Sequence, residues 1–501
     1  MTTAVAVDIG AQSGRVALGR FDGERLSIEE VHRFPNVPVH AGGTLYWDVL
    51  GLYGDVVDGL SAAARTADGE VDSVGVDTWG VDFALLDRAG RLVQNPVHHR
   101  DRRIEGAMER AFDRIPAREL YERTGIQLMP INTVFQLSAM VESGDPALEI
   151  AETLLLIPDL LHDWLGGVAR CELTNATTSQ CLDPRAQAWA LDVADRLAIP
   201  RRLFAELVPP GTVLGPLLPE VADRARLRRA VVVAPATHDT ASAVAAVPFR
   251  FPESVYISSG TWSLVGLELT DPLIDDAAFA ANLTNEGGAA GTFRLLRNVT
   301  GLWLLHECRN AWALEGDDWT FDELVRLAEQ APALRSFIEP NDPAFLAPGD
   351  MPDRIRRRCA ATGQDVPQEP AAVVRCILES LALKYRQTIE LIERATGLNP
   401  PEIHVVGGGA RNEPLCRWTA AATGLPVLAG PAEATLIGNA AVQAMALGEL
   451  SSLDEVREVV RASFAPVAYE PLERARWDEA YARFLLVSDR PAGAREPGLV
   501  A

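Results

Sequence analysis

The chain has 501 residues, 48% of them hydrophobic and 23% charged, with a formal net charge of −23. A chain of this size buries a core without staples, and its acidity excludes the basic footprint of a nucleic-acid binder and the polybasic patch of a membrane-surface protein. An anionic ligand is still admitted, but only through local backbone N–H groups, arginines or a metal ion.

The first segment, "MTTAVAVDIG", is strand-like and carries no basic leader, and no apolar run reaches about 18 residues. These features predict a cytoplasmic protein with neither signal peptide nor membrane span. "AVAVDIGAQSGRVALGRFDGERLSIEEVHRF" predicts two successive strand–turn–strand units, broken at "GAQSG" and at Asp22-Gly23. Helical periodicity follows in "LYWDVLGLYGDVVDGLSAAARTA". "VDSVGVDTWGVDFALLDRAGRLV" then predicts a strand, a polar break and a hairpin-like return. Residues 101–230 read as helix-rich with Pro-marked breaks.

Near residue 254 the opening pattern returns. "YISSGTWSLVGLE" from Tyr256 aligns with "VDIGAQSGRVALG" from Val7 on Gly260 and Gly10, and Ser263 then matches Ser13. Such self-similarity predicts two related domains. Residues 371–396 form the clearest amphipathic helix, stopped by Gly397. "EIHVVGGGARNEPLCRWTAAAT" predicts a strand, a glycine turn and a helix. The last residues, 486–501, read as a loose tail.

Six cysteines without CxxC or zinc spacing predict free thiols; Cys359 and Cys376, on either side of one acidic loop, are the candidate pair. The sole lysine is Lys384, in the helical "LALKYRQ". A Walker A loop and a protein-kinase strand lysine are therefore both excluded.

Asp8 ends a buried strand before a Gly/Ser turn in which Gly10 and Gly14 allow close backbone approach and Ser13 and Arg15 add donors. An acid so placed suits Mg²⁺, which takes one or two carboxylates together with phosphate oxygens. An ordinary hairpin with a surface Asp is the competing reading. Ser258 to Thr261 offer a second, lysine-free anion nest or simply a polar turn. In "VVGGGARN" three glycines suit a phosphate or flat ring, although the spacing is not that of a dinucleotide loop. Asp77 and Asp82 flank a Trp-Gly turn that offers polar groups and an aromatic wall to a sugar, or holds a structural tryptophan. In "PATHDTASAV", Asp239 or Thr240 reads either as the cap of a short helix or as part of a site. Taken together, these features point to ATP-dependent phosphoryl transfer, which needs positioning, charge neutralisation and a carboxylate near the attacking hydroxyl. Asp239 is the candidate base.

The segments "DIGAQSGR", "GVDTWGVDF", "THDTASAV", "ISSGTWSL" and "VVGGGARN", in this order, resemble the FGGY carbohydrate kinases over about residues 3–470. "HDTASAV", "SSGTWSL" and "NLTNEGG" narrow the resemblance to the branch acting on L-rhamnulose. The resemblance implies an α/β fold of two actin-like, RNase H-like domains with an interdomain catalytic cleft. A sugar-binding domain would span 1–245 and an ATP-binding domain 246–485. It implies transfer from ATP to O1 of L-rhamnulose in rhamnose catabolism, with Mg²⁺ as cofactor and no nucleic-acid or membrane partner. Carried over by position, Ala11, Gln12, Ser13, Gly14, Arg15, Thr261, His306, Gly408 and Gly409 would contact ATP. Gly80, His238, Asp239, Thr240 and Asn298 would contact the sugar. Asp239 would be the base, and Asp8 and Asp239 would place the metal. The pattern departs from the family at Gln12, His99, Thr237 and His306. Other ketoses such as L-fuculose or L-xylulose, an actin-like ATP switch and an inactive sugar sensor are the alternative readings.

Overall fold

The computed structural model describes residues 1–488. Its elements used below are, in chain order, β1 Thr2–Ile9, β2 Ser13–Phe21, β3 Leu26–Pro35, α1 Val49–Thr66, β4 Ser73–Thr78, α2 Leu173–Thr178, β5 Thr212–Pro216, β6 Val231–Ala234, α3 Asp239–Ala245, β7 Val255–Ser259, β8 Trp262–Leu269, β9 Thr284–Gly287, β10 Phe293–Thr300, α4 Pro370–Thr396, β11 Ile403–Val406, β12 Val427–Ala429, α5 Ala434–Ala446 and β13 Val467–Tyr469. The chain divides into two units. The first holds Met1–Phe249, Leu267–Leu296 and Glu433–Ala465; the second holds Arg250–Gly266, Arg297–Ala432 and the described residues from Pro466 onward.

The first unit is built on a sheet of order β5-β6-β4-β1-β2-β3. Every residue of β1 is buried, which is why its sequence is a near-continuous apolar run rather than an alternation. β1 pairs antiparallel with β2, setting Asp8 opposite Arg15, and parallel with β4, setting Asp8 opposite Asp77. β3 closes the edge with exposed, charged side chains that discourage further pairing. α1 starts where the Asp48 side chain accepts from the Gly51 N–H.

Helix α5 packs on this sheet through missing side chains. A Cβ on Gly19 would come within 2.5 Å of the Ala440 Cβ, and one on Gly438 within 1.8 Å of the Ser242 carbonyl oxygen in α3. The polar stripe of the same helix is stitched to the strands. Asn439 Nδ2 donates to Asp77 Oδ2 (2.5 Å), and Gln443 Nε2 donates to the Val5 carbonyl (3.0 Å) and to Asn439 Oδ1 (2.6 Å).

The second sheet has the order β9-β10-β8-β7-β11-β12-β13. β7 pairs antiparallel with β8 and parallel with β11, β11 runs parallel to β12, and β13 closes antiparallel. The run β10-β8-β7-β11-β12 thus repeats the order β3-β2-β1-β4-β6 of the first unit, and an antiparallel strand closes that end of each sheet. The weak similarity around Gly10 and Gly260 therefore reflects a duplicated sheet. α4 behaves as its pattern predicts: Pro370 opens it and Gly397, at φ 71°, ends it. The second core gathers β7, α4 and β11 around residues such as Ile257, Leu381 and Val405.

Three expectations are corrected. The segment after the Trp-Gly turn does not fold back on β4. Phe83–Leu86 pairs antiparallel with Thr153–Leu156 in a separate two-stranded sheet, because β4 already has β1 and β6 as neighbours. Neither Asp239 nor Thr240 is a cap: His238 holds that position, and α3 begins at Asp239. A helix runs on through Arg474–Ser488, so residues 486–488 belong to it, and the remainder of the expected tail lies outside the described residues. All six cysteines are free and buried. Among the described residues, no helix is long and apolar enough to cross a membrane.

Candidate active site

In the first unit the turn between β1 and β2 is short and clamped. The Gly10 N–H donates to the Ser13 carbonyl (3.0 Å), while Asn36 donates from Nδ2 to the Gly10 carbonyl (2.9 Å) and from its N–H to that of Gln12 (3.0 Å). This leaves Ala11 to Ser13 at the ends of two interior strands, with Gln12 exposed. Gly14 is required by packing, since a Cβ there would run into the Phe34 ring. Arg15 does not hang free as a phosphate donor. Its guanidinium is paired with Asp8 and Glu433, and both carboxylates hold it protonated against the opposing effect of burial.

Asp8 and Asp77 lie within reach of the Asp239 charge. Burial is the largest cause pushing the Asp8 carboxyl up; Arg15 opposes it, and the Asp239 charge adds to it. Burial pushes Asp77 further up, helped by Asp8 and Asp239, and its Oδ1 is buried without a hydrogen-bond partner. Among the described residues, no group of three or more acids, histidines or cysteines closes into a metal cage. Hard, mutually repelling carboxylates nevertheless suit a divalent cation, and Mg²⁺ needs only one or two of them beside phosphate oxygens.

The second cluster is assembled around Glu172, at the start of α2. Its buried carboxylate accepts from the Thr174 N–H (2.8 Å) and hydroxyl (2.5 Å), and from the Thr237 N–H (2.9 Å) and hydroxyl (2.7 Å). Burial pushes Glu172 up despite these four donors. The Thr237 carbonyl accepts from the Thr78 N–H (2.9 Å), so the residues before α3 are fixed to both α2 and β4. Thr237, a departure from the family pattern, is thereby explained: its hydroxyl is one of the four donors. His238 is almost buried, while the Asp239 side chain is 28% exposed and accepts from the Thr240 hydroxyl at 3.0 Å.

The Trp-Gly turn lies against α2. A Cβ on Gly80 would meet Thr178 Oγ1 at 2.7 Å, and Val81 is held at φ 68°. A β-branched residue in that region is strained, at a cost of about 1–3 kcal/mol. Hydrogen bonds from Thr133 Oγ1 and Gln136 Nε2 to its carbonyl, and from its N–H to Thr178 Oγ1, hold it there. Trp79 is not an open wall. Its indole N–H, that of Trp47 and His99 Nδ1 all converge on Asp82 Oδ2 at 2.8, 2.8 and 2.6 Å. Burial opposes ionisation of Asp82 most strongly, but His99 and the other groups around it, the Trp79 N–H among them, together hold the carboxylate below its usual range. Burial lowers the neighbouring His98 to about 3.

In the second unit, the Gly260 N–H donates to the Trp262 carbonyl (2.8 Å), and the Thr261 carbonyl accepts from Gly301 (3.2 Å) and Trp303 (3.1 Å). The three glycines have different tasks. Gly407 adopts φ 78°, Gly409 lies where a Cβ would strike Ser259 Oγ at 2.0 Å, and Gly408 has nothing within 4 Å of its open side. His306 is half-buried in the helix Trp303–Glu315, 5.7 Å from the Phe321 ring, and burial lowers its pKa. Asn298 lies on β10, where its carbonyl accepts from Asn341 Nδ2 (3.3 Å). The structure thus gathers Asp8, Ala11 to Arg15, Gly80 and His238 to Thr240 in one unit, and Thr261, Asn298, His306, Gly408 and Gly409 in the other.

Sequence reasoning missed Glu172, Asn439, Gln443, Glu286 and Arg294. The Asn/Gln pair at i and i+4 in an otherwise apolar helix was the available signal for two of them.

A carboxylate at a helix start, fixed from behind and open in front, suits a kinase of hydroxyl groups. Residues 3–246 match the N-terminal domain of the FGGY family of carbohydrate kinases, and residues 255–447 match its C-terminal domain. The chain belongs to the FGGY family of carbohydrate kinases. It is 44% identical over 480 residues to the rhamnulokinase of Bacteroides thetaiotaomicron, covering 96% of this chain and 98% of that one. It is 38% identical over 465 residues to the rhamnulokinase of Oceanobacillus iheyensis, covering 93% and 97%. A xylulose kinase from Lactobacillus acidophilus shares the fold with a TM-score of 0.80 at 15% identity, covering 97% of each chain.

Proposed function

We propose that this chain transfers the γ-phosphoryl group of ATP to O1 of L-rhamnulose, giving L-rhamnulose 1-phosphate and ADP. The observation that carries the chemistry is Asp239: its carboxylate opens the first turn of α3, partly exposed, while Glu172 and Thr237 anchor the backbone just before it. The full-length similarity to rhamnulokinases supports the choice of sugar over L-fuculose, L-xylulose or an ATP switch.

In this reading Asp239 accepts the O1 proton as the hydroxyl attacks. Its neighbours His238 and Thr240, with Gly80 and Asn298, orient the sugar. Ala11 to Gly14 and Thr261 face the phosphates, with Arg15 held beside them by Asp8 and Glu433, and Gly408 and Gly409, with His306, approach the nucleoside. Residues 1–245 would carry the sugar and 246–485 the nucleotide. Asp8, with Asp239, would hold Mg²⁺, which neutralises charge on the phosphate oxygens when bound. In a loose transition state, alignment and charge neutralisation matter more than nucleophilic push. Asp8 therefore has two tasks, pairing Arg15 and facing the metal.

Replacing the base tests the reading. Asp239→Asn is expected to keep its melting temperature and sugar affinity while kcat falls about 10²- to 10⁴-fold. Near-native kcat in a folded variant overturns the assignment. The product position is read by phosphorus–carbon coupling in the NMR spectrum, which must place phosphate on C1.

A further inference from the structure

Behind His238 lies a buried arginine that the reaction, as described above, does not use. Arg294 on β10 has no exposed side-chain surface. Its Nε donates to the Gly287 carbonyl (2.9 Å), its Nη2 lies 3.2 Å from Glu286 Oε2, and its Nη1 makes no hydrogen bond among the described residues. A buried cation with an idle donor is costly, and apolar packing would fill the space more cheaply. The remaining contact of Nη2 is with His238 Nδ1, at 3.0 Å.

Guanidinium groups only donate. His238 Nδ1 must therefore accept, and a neutral imidazole then carries its proton on Nε2. Nε2 lies 3.5 Å from Asp239 Oδ1, the carboxylate assigned as base. We propose that Arg294, braced by Glu286, is a positioning residue that holds His238 in its Nε2–H tautomer and so aims an N–H at Asp239 and the sugar beside it. The proposal rests on Asp239 being the base. Glu286 matters because it is the competing acceptor: its Oε2 is 3.3 Å from Nδ1. With Arg294 present, its guanidinium is the ion-pair partner of Glu286, and Nδ1 accepts from Nη2. Without it, Glu286 draws a proton onto Nδ1, and Nε2 faces Asp239 as a lone pair.

Histidine ¹⁵N spectra of the full chain, taken without sugar or ATP and assigned by difference with His238→Asn, test this directly. The wild type is expected to show His238 with the proton on Nε2. Arg294→Met is expected to shift it to Nδ1 and to lower kcat about ten- to a hundredfold with a smaller change in KM, the scale expected of misalignment beside the reacting atoms. Arg294→Lys, still a pure donor, is expected to restore the Nε2 tautomer. Glu286→Gln is expected to keep it as well, and serves if Arg294→Met does not fold. A wild-type Nδ1–H signal, or an unchanged tautomer in folded Arg294→Met, overturns the proposal. So does loss of the Nε2 tautomer in Glu286→Gln. Because the spectrum needs no substrate, it stands apart from the sugar assignment. If the tautomer behaves as expected but no sugar is phosphorylated, the functional reading fails and not the geometry.

Discussion

At the residue scale, the acids of the first unit are distinguished by what surrounds them. Asp82 receives three N–H donors and stays ionised, whereas Asp159, equally buried, has burial and the Glu172 charge against it and is pushed well above its usual value. Folded Asp159 therefore keeps a proton that the unfolded chain releases near 3.8. Its contribution to stability is complete below that pH and is lost as pH rises through the folded value. Asn at this position removes the pH-dependent part while keeping an oxygen for the Glu172 N–H, which Asp159 Oδ1 accepts at 3.1 Å. Asp159→Asn is accordingly expected to melt with the wild type near about pH 4 and a few degrees above it at neutral pH. Thermal melts across that range check it; equal melting at neutral pH would mean Asp159 is ionised in the fold.

At the scale of elements, α3 is held where it is by α5, and the contact has no room for a methyl group. The Gly438 Cα side faces the Ser242 carbonyl, part of the helix that Asp239 begins. Gly438→Ala is expected to cost about 1–3 kcal/mol by forcing the two helices apart. It should also lower kcat, since α3 carries the base. Denaturant melts and initial rates read the two effects; unchanged stability would show that α3 yields freely. This packing also marks where the sequence stops being legible. The β1–β2 hairpin, α4 and the β11–glycine–helix unit were readable because their turns, caps and periodicity are local. Glu172 and Arg294 were not, because each earns its place only against residues far along the chain: Thr237 for one, His238 for the other. The Trp-Gly turn was read as a possible sugar wall because the sequence does not reveal that Asp82 collects both indoles. Asp239 was singled out because an acid among small apolar residues stands out even without its partners.

At the scale of the whole molecule, one five-strand order occurs twice, and the faint repeat around Gly10 and Gly260 was its trace in the sequence. Both units bury their cysteines. Burial raises the Cys171 thiol well above its usual value and takes Cys181 and Cys416 to about 12, while Cys359 is lowered by its hydrogen bond with Cys376. A thiol reagent at neutral pH is therefore expected to label none of the six cysteines in the native chain and all six after denaturation. Rapid native labelling would show that a core opens readily. The central claim is sugar-dependent phosphoryl transfer, and ADP release from Mg²⁺-ATP across L-rhamnulose, L-fuculose, L-xylulose, D-xylulose and glycerol measures it most directly. The account predicts a strong rate with L-rhamnulose and little ADP without sugar. A strong rate with another ketose alone would contradict the substrate, and no stimulation by any of them would contradict the activity itself.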